Sequence, residues 1–184
     1  MGWTGRYLDG CPKGQERIDA AVRQEGYNYT DASRRSEIID SAIRNGTVYL
    51  AVRYTDTEND IEEVYGVVIL THYNKGLFTT KSMSENMGPV YYDCPVHILE
   101  RLSPTENEHA KTWRDMCRKV REKKNKDAHD PLSTMESGQI RVKGHDGIWS
   151  ARRYHKRRVF VNYSEGKYLT LSYIRRCGYE IVAE

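Results

Sequence analysis

Between Val64 and His72, apolar side chains occupy both parities of an extended chain, with Val64, Val68 and Leu70 on one and Tyr65, Val67 and Ile69 on the other. Successive side chains of a strand point to opposite faces, so this segment reads as a central strand covered on both sides. A fold that contains it needs neighbouring strands and a layer over each face. The preceding residues supply a neighbour. Arg44-Asn45-Gly46-Thr47 holds the Asn-Gly pair that tolerates positive φ in a type I′ turn. Before it, Glu37–Ile43 is apolar enough for a strand; after it, Thr47–Tyr54 alternates Val48, Leu50, Val52 and Tyr54 on one face. Upstream, Ile18, Ala21, Val22 and Glu25 recur at helical spacing within Gly14–Glu25, a short amphipathic helix.

A second helical unit follows Gly88-Pro89-Val90-Tyr91-Tyr92-Asp93-Cys94-Pro95. Ser103 reads as its cap, with Pro104 at the first position and Glu106 completing a capping box. Ala110, Trp113, Met116, Cys117 and Val120 form its buried stripe, and the helix is predicted to end near Lys124. Arg114, Arg118 and Arg121, spaced four and three apart, line a basic face, either a binding surface or the solvated side of a helix packed on the sheet. Asn125–Ser137 is polar, contains Asp130-Pro131 and lacks apolar periodicity, which predicts a linker. Beyond it lie short strand-like runs at Gln139–Lys143, Ile148–His155, Arg158–Tyr163, Tyr168–Tyr173 and Tyr179–Ala183, separated by turns most of which carry glycine. The predicted class is α+β: an N-terminal antiparallel sheet with two or three helices over 1–126, a linker over 127–137, and a small SH3-like or OB-like β-barrel over 138–184.

Leu, Ile, Val and Phe supply only 35 of the 184 residues, but 14 Tyr and 3 Trp restore bulky apolar surface. The core is therefore expected to be thin, with tyrosine among its larger members. Cys11, Cys94, Cys117 and Cys177 have no paired spacing and read as packing residues. Cys94 and His97, with His109 and Cys117 downstream, lack the second tight pair of a zinc site. Asp56, Glu58 and Asp60 alternate as in a calcium loop, yet Ile61 stands where that loop needs Gly and Val67 where it needs Glu. No metal or cofactor is expected. The first residues carry neither a secretory nor a myristoylation pattern, and no apolar run approaches the roughly 18 residues of a membrane span, so a soluble, cytoplasmic protein is expected.

Charge is unevenly placed. Met1–Ala110 has 11 Lys and Arg against 17 Asp and Glu, whereas 137–184 has 10 against 4. That last segment interleaves Arg141, Lys143, Arg152, Arg153, Lys156, Arg157, Arg158, Lys167, Arg175 and Arg176 with Trp149, Tyr154, Phe160, Tyr163, Tyr168 and Tyr173. Single-strand binders combine cations that track phosphates with aromatic faces on which bases stack. The competing reading puts the aromatics inside the barrel and leaves the cations as a solubilising exterior. Candidate contacts to nucleic acid or a partner are Arg114, Arg118, Arg121, Arg152, Arg153, Lys156, Arg157, Arg158, Lys167, Arg175 and Arg176. Catalytic signatures are missing: no phosphate-cradling glycine loop, no His-Glu-x-x-His and no Gly-x-Ser-x-Gly. Asp93-Cys94 with His97 is the only local candidate for a thiol nucleophile and base, and no enzymatic activity is expected.

Met1-Gly2-Trp3-Thr4-Gly5, the central Gly88–Pro95 motif, and Leu102-Ser103-Pro104-Thr105-Glu106-Asn107-Glu108 leading to Trp113-Arg114 resemble a family carried on plasmids, conjugative elements and prophages of Firmicutes. The resemblance runs from the first residue to the C-terminal basic segment and implies a mobile-element setting rather than an activity. In size and character the chain is also similar to type II-A anti-CRISPR proteins, with no inhibitory motif matched residue by residue. That similarity implies an inhibitor of an RNA-guided DNA nuclease as partner, its acidic part covering cationic protein surface and its basic part touching guide or target nucleic acid. A nucleic-acid-binding accessory protein of the element is the alternative.

Overall fold

The computed structural model describes residues 2–28, 30–155 and 157–182. Among them the fold is α+β, with two antiparallel five-stranded sheets in two compact units, Met1–Glu122 and Lys123–Glu184. No helix among the described residues is long and apolar enough to cross a membrane.

In the first unit, β1 (Thr4–Tyr7), β2 (Arg34–Arg44), β3 (Thr47–Asp56), β4 (Ile61–Asn74) and β5 (Leu77–Ser84) form a sheet of order β1-β5-β4-β3-β2. The β2–β3 hairpin turns at Asn45 and Gly46, with φ of 48° and 80°, as the type I′ turn requires. Both faces of the sheet are covered. Helix α1 (Gly14–Glu25) packs Ile18, Ala21 and Val22 against Val48, Leu50, Val52, Val67, Ile69 and Phe78. On the other face α2 (Val96–Leu99) and α3 (Glu108–His129) bring Ile98, Leu99, Trp113 and Cys117 onto Tyr49, Ala51 and Val68. The alternation in Thr47–Tyr54 places Val48, Leu50 and Val52 on one face as expected, and the other face is covered too, with Tyr49 and Ala51 equally buried. Ile38 and Ile39 serve opposite faces by ordinary alternation, and a bulge interrupts the register between Ile38 and Asp40.

The second helix does not begin at Ser103. Strand β5 ends opposite Val67, leaving outward-facing groups of β4 without a ladder partner. Ser103 is used there, its amide donating to the Val64 carbonyl (2.8 Å) and its hydroxyl accepting from the Val64 amide (2.9 Å). Asn107 caps α3 instead, its side-chain oxygen accepting from Ala110 N at 3.1 Å. The helix continues to His129, and Pro131–Thr134 forms a further turn, α4, capped by Asp130. Much of the stretch expected as a linker is thus helical, its polar composition reflecting exposure rather than loss of structure.

In the second unit β6 (Gln139–Val142), β7 (Trp149–Tyr154), β8 (Arg157–Asn162), β9 (Lys167–Thr170) and β10 (Tyr179–Val182) are ordered β10-β6-β7-β8-β9. The run Tyr168–Tyr173, read as a strand, ends at Thr170 and turns into helix α5 (Leu171–Cys177). Leu171, Ile174 and Cys177 recur every third residue and share the core, and Gly178 closes the helix with φ 87°. Leu132, Ile140, Trp149, Ala151 and Phe160 complete that core.

Candidate nucleic-acid interface

The register of β7 on β8 sorts the basic and aromatic residues into two faces. Ala151 lies opposite Phe160, and both point into the core with Trp149. By alternation Arg152, Tyr154, Arg157, Val159 and Val161 belong to the other face, joined from β9 by Tyr168, the register partner of Val161. Tyr154, Tyr163 and Tyr168 are 68, 62 and 68 % exposed. Val159, although on this outer face, is buried. It lies with Val161 in a groove of about 220 Å³ lined also by Tyr154, Gly166, Lys167 and Tyr168. The Arg152 guanidinium stands over the Tyr163 ring, 5.5 Å from its centroid, and its Nε donates to the Tyr163 hydroxyl. Both residues line a second concavity of about 400 Å³ with Gly138, Gln139 and Ser150.

The loop carrying Tyr163 is fixed by Asn162. Its buried Oδ1 accepts from Ser164 N (3.0 Å), Ser164 Oγ (2.6 Å) and Glu165 N (3.3 Å). Its Nδ2 donates to the Asp146 carbonyl at 3.4 Å. An Asn that satisfies the amides following it is an Asx turn, and Asn162-Tyr163-Ser164-Glu165-Gly166 has that signature. Sequence reasoning passed over Asn162 and the floor valines; the double-parity apolar run Val159-Phe160-Val161 was the available signal.

Of the candidate basic residues, Arg152 and Arg157 come together on this face, while Lys167, on the opposite parity of β9 across from Asn162 and paired with Glu165 at 3.0 Å, borders the groove. Arg153 is exposed on the opposite parity, across the ladder from Arg158. Three candidates are corrected to structural roles. Arg158 donates to the carbonyls of Leu132, at 3.2 Å, and Ser133. Arg175 is clamped by Asp130 (3.1 Å), the Asp127 carboxylate (3.5 Å) and carbonyl (2.8 Å), and Ser133 Oγ. Arg114 in α3 is buried against Glu85. Arg176 is exposed and stacks on Tyr173 at 5.2 Å, while the Tyr173 hydroxyl meets His145 Nε2 at 3.1 Å. Lys156 lies outside the described residues. Arg118, paired with Asp115 at 3.0 Å, and the half-buried Arg121 belong to the first unit. Among the aromatics, Trp149 and Phe160 fill the core, and Tyr154, Tyr163 and Tyr168 remain for a ligand.

The division into units also moderates the charge contrast. Met1–Glu122 carries 16 Lys and Arg against 19 Asp and Glu, and Lys123–Glu184 carries 13 against 7, because the basic start of α3 falls within the first unit.

Cys94 is buried beside Cys117 in the α2/α3 core, and desolvation pushes its thiol well above the ordinary range. His97 is half-exposed and faces Asp40 at 3.9 Å. Cys94 is a packing residue, without the electropositive, partly open setting of an activated thiol. No three His, Cys, Asp or Glu side chains among the described residues gather as a metal site.

No protein-family model, curated protein or solved structure matches the chain.

Proposed function

We infer that this is a non-enzymatic nucleic-acid-binding protein whose contact surface is the outer face of the C-terminal sheet. The observation that carries the reading is the pairing of three tyrosines, each more than 60 % exposed, with Arg152 and Arg157 on one face and Lys167 at the border of its groove. If the aromatics served only packing, they would be buried like Trp149 and Phe160. Base–aromatic stacking is worth about 1–3 kcal/mol per base, and each phosphate neutralised adds a salt-dependent gain from counterion release. The order β10-β6-β7-β8-β9, with α5 between the fourth and fifth strands, favours an SH3-like over an OB-like reading of this unit. The test is fluorescence anisotropy of labelled RNA and DNA across a salt series. Binding that weakens linearly in log salt is expected, and absence of binding at low salt sinks the reading.

A second reading is inhibition of an RNA-guided DNA nuclease, in the setting that the mobile-element resemblance implies. It is favoured by the charge contrast between the units, 16 to 19 against 13 to 7, since such complexes present both cationic protein and anionic nucleic acid. Retention by a guide-loaded type II nuclease, with free nucleic acid as control, supports it; retention by nucleic acid alone returns the protein to the accessory role.

A further inference from the structure

We propose that the groove over Val159 and Val161 is a slot for the unpaired bases of a single strand, and that the protein prefers single-stranded to duplex nucleic acid. The proposal rests on the nucleic-acid reading above and specifies its ligand. The walls come from the flanking strands, Tyr154 on β7 and Tyr168 on β9, and the floor from β8 between them. Tyr154 stands opposite Arg157 and Tyr168 opposite Val161. The floor between those positions spans four residues, about 13 Å at roughly 3.3 Å per residue. At about 3.4 Å per stacked base, walls so spaced leave room for at most about three bases between them.

The chemistry of the slot selects the ligand. Its floor is two valines, which offer no hydrogen-bond partner, so a base is held by its face and not read by its edge. A duplex buries those faces in its own stack and presents only phosphates and edges. Arg157 and Lys167 can meet either form through phosphate, whereas Tyr154 and Tyr168 reward only an exposed base. The Arg152–Tyr163 pair, held by the Asn162 turn, offers a further cationic ring face on the same surface.

The experiment measures anisotropy of the full chain with single strands of uridine and of deoxyuridine, and a duplex, each of about 12 nucleotides, within the site sizes of single-strand binders. Tighter binding of the single strands is expected, the two separating a ribose from a deoxyribose preference. Tyr154→Ala with Tyr168→Ala should weaken single-strand binding about ten- to a hundredfold. Duplex affinity and salt slope should stay in place, and Tyr154→Phe with Tyr168→Phe should restore single-strand affinity. An undiminished melting temperature verifies folding. The slot is overturned if the alanine pair leaves single-strand affinity unchanged, if it weakens duplex binding equally, or if poly-glutamate competes as well as the strands. If Arg152→Glu with Arg157→Glu abolishes binding while the tyrosine pair has no effect, the slot falls and the nucleic-acid reading stands. If no strand binds, both fall.

Discussion

Arg114 donates to both oxygens of Glu85, from Nε and Nη2, each at 2.7 Å, and its remaining terminal nitrogen donates to the Ser103 carbonyl at 2.7 Å. Glu85 Oε1 also accepts from the amide of Gly66 at 3.0 Å. Gly66 lies one residue beyond the point where β5 stops pairing with β4, so the carboxylate takes the place of a missing strand. A carboxylate buried in this way is tolerable because the fork of a guanidinium satisfies it bidentately.

Removing one partner should therefore unfold the first unit readily. Arg114→Ala leaves Glu85 charged, buried and uncompensated, at a cost of about 3–5 kcal/mol, readable as a lower urea midpoint. Arg118→Ala, on the exposed side of the same helix, should shift it by less than about 0.5 kcal/mol. A similar loss from both would refute the buried-pair account.

Gly66 faces Trp113 closely enough that an added Cβ would sit 3.0 Å from the ring's Cζ3. Gly66→Ala is expected to cost about 1–3 kcal/mol through overpacking, seen as a lowered melting temperature and altered Trp fluorescence. An unchanged melting temperature would mean that the ring moves freely.

Alkaline pH should destabilise the fold. Burial pushes the Cys117 thiol up to about 12, and raises the Cys94 thiol and the Tyr49 hydroxyl as well. These groups stay protonated in the folded chain while their unfolded counterparts ionise from about pH 9 for cysteine and 10 for tyrosine. Their contribution is thus complete below pH 9 and declines as pH climbs toward the folded values. Melting temperatures between pH 7 and 11 should fall above pH 9. Iodoacetamide at pH 8 should label exposed Cys11 and spare Cys94 and Cys117 in the native protein.

Arg152 and Arg175 should separate binding from stability. Arg175→Ala breaks the clamp on Asp127 and Asp130 and should destabilise the second unit by about 1.5–3 kcal/mol. Arg152→Glu with Arg157→Glu should leave melting unchanged and, if each Arg meets a phosphate, lower the salt slope of nucleic-acid binding by about 2. The reverse pattern would move the interface to α5.

Helix α1, the Asn45-Gly46 hairpin and the central strand were legible because each rests on local rules: helical spacing, positive φ and two-parity apolarity. The short strands of the second unit were legible in the same way, apart from the last part of Tyr168–Tyr173. There, alternation and a three-residue period overlap, and only contact with Ile140 and Trp149 selected the helix. The cap at Ser103 failed because its side chain is needed by the Val64 amide, 39 residues away in sequence.

The sequence by itself determined the kinds of group present: an apolar strand needing two covers, and a cationic, tyrosine-rich C-terminal segment. Which arginines meet solvent was decided only by tertiary structure. Arg114, Arg158 and Arg175 look like Arg152 in one dimension, yet the first finds a buried carboxylate and the other two find carbonyls or acids at a helix end. The physical reason is that burying an arginine requires partners converging from distant positions, whereas leaving one exposed requires only a strand face that nothing covers.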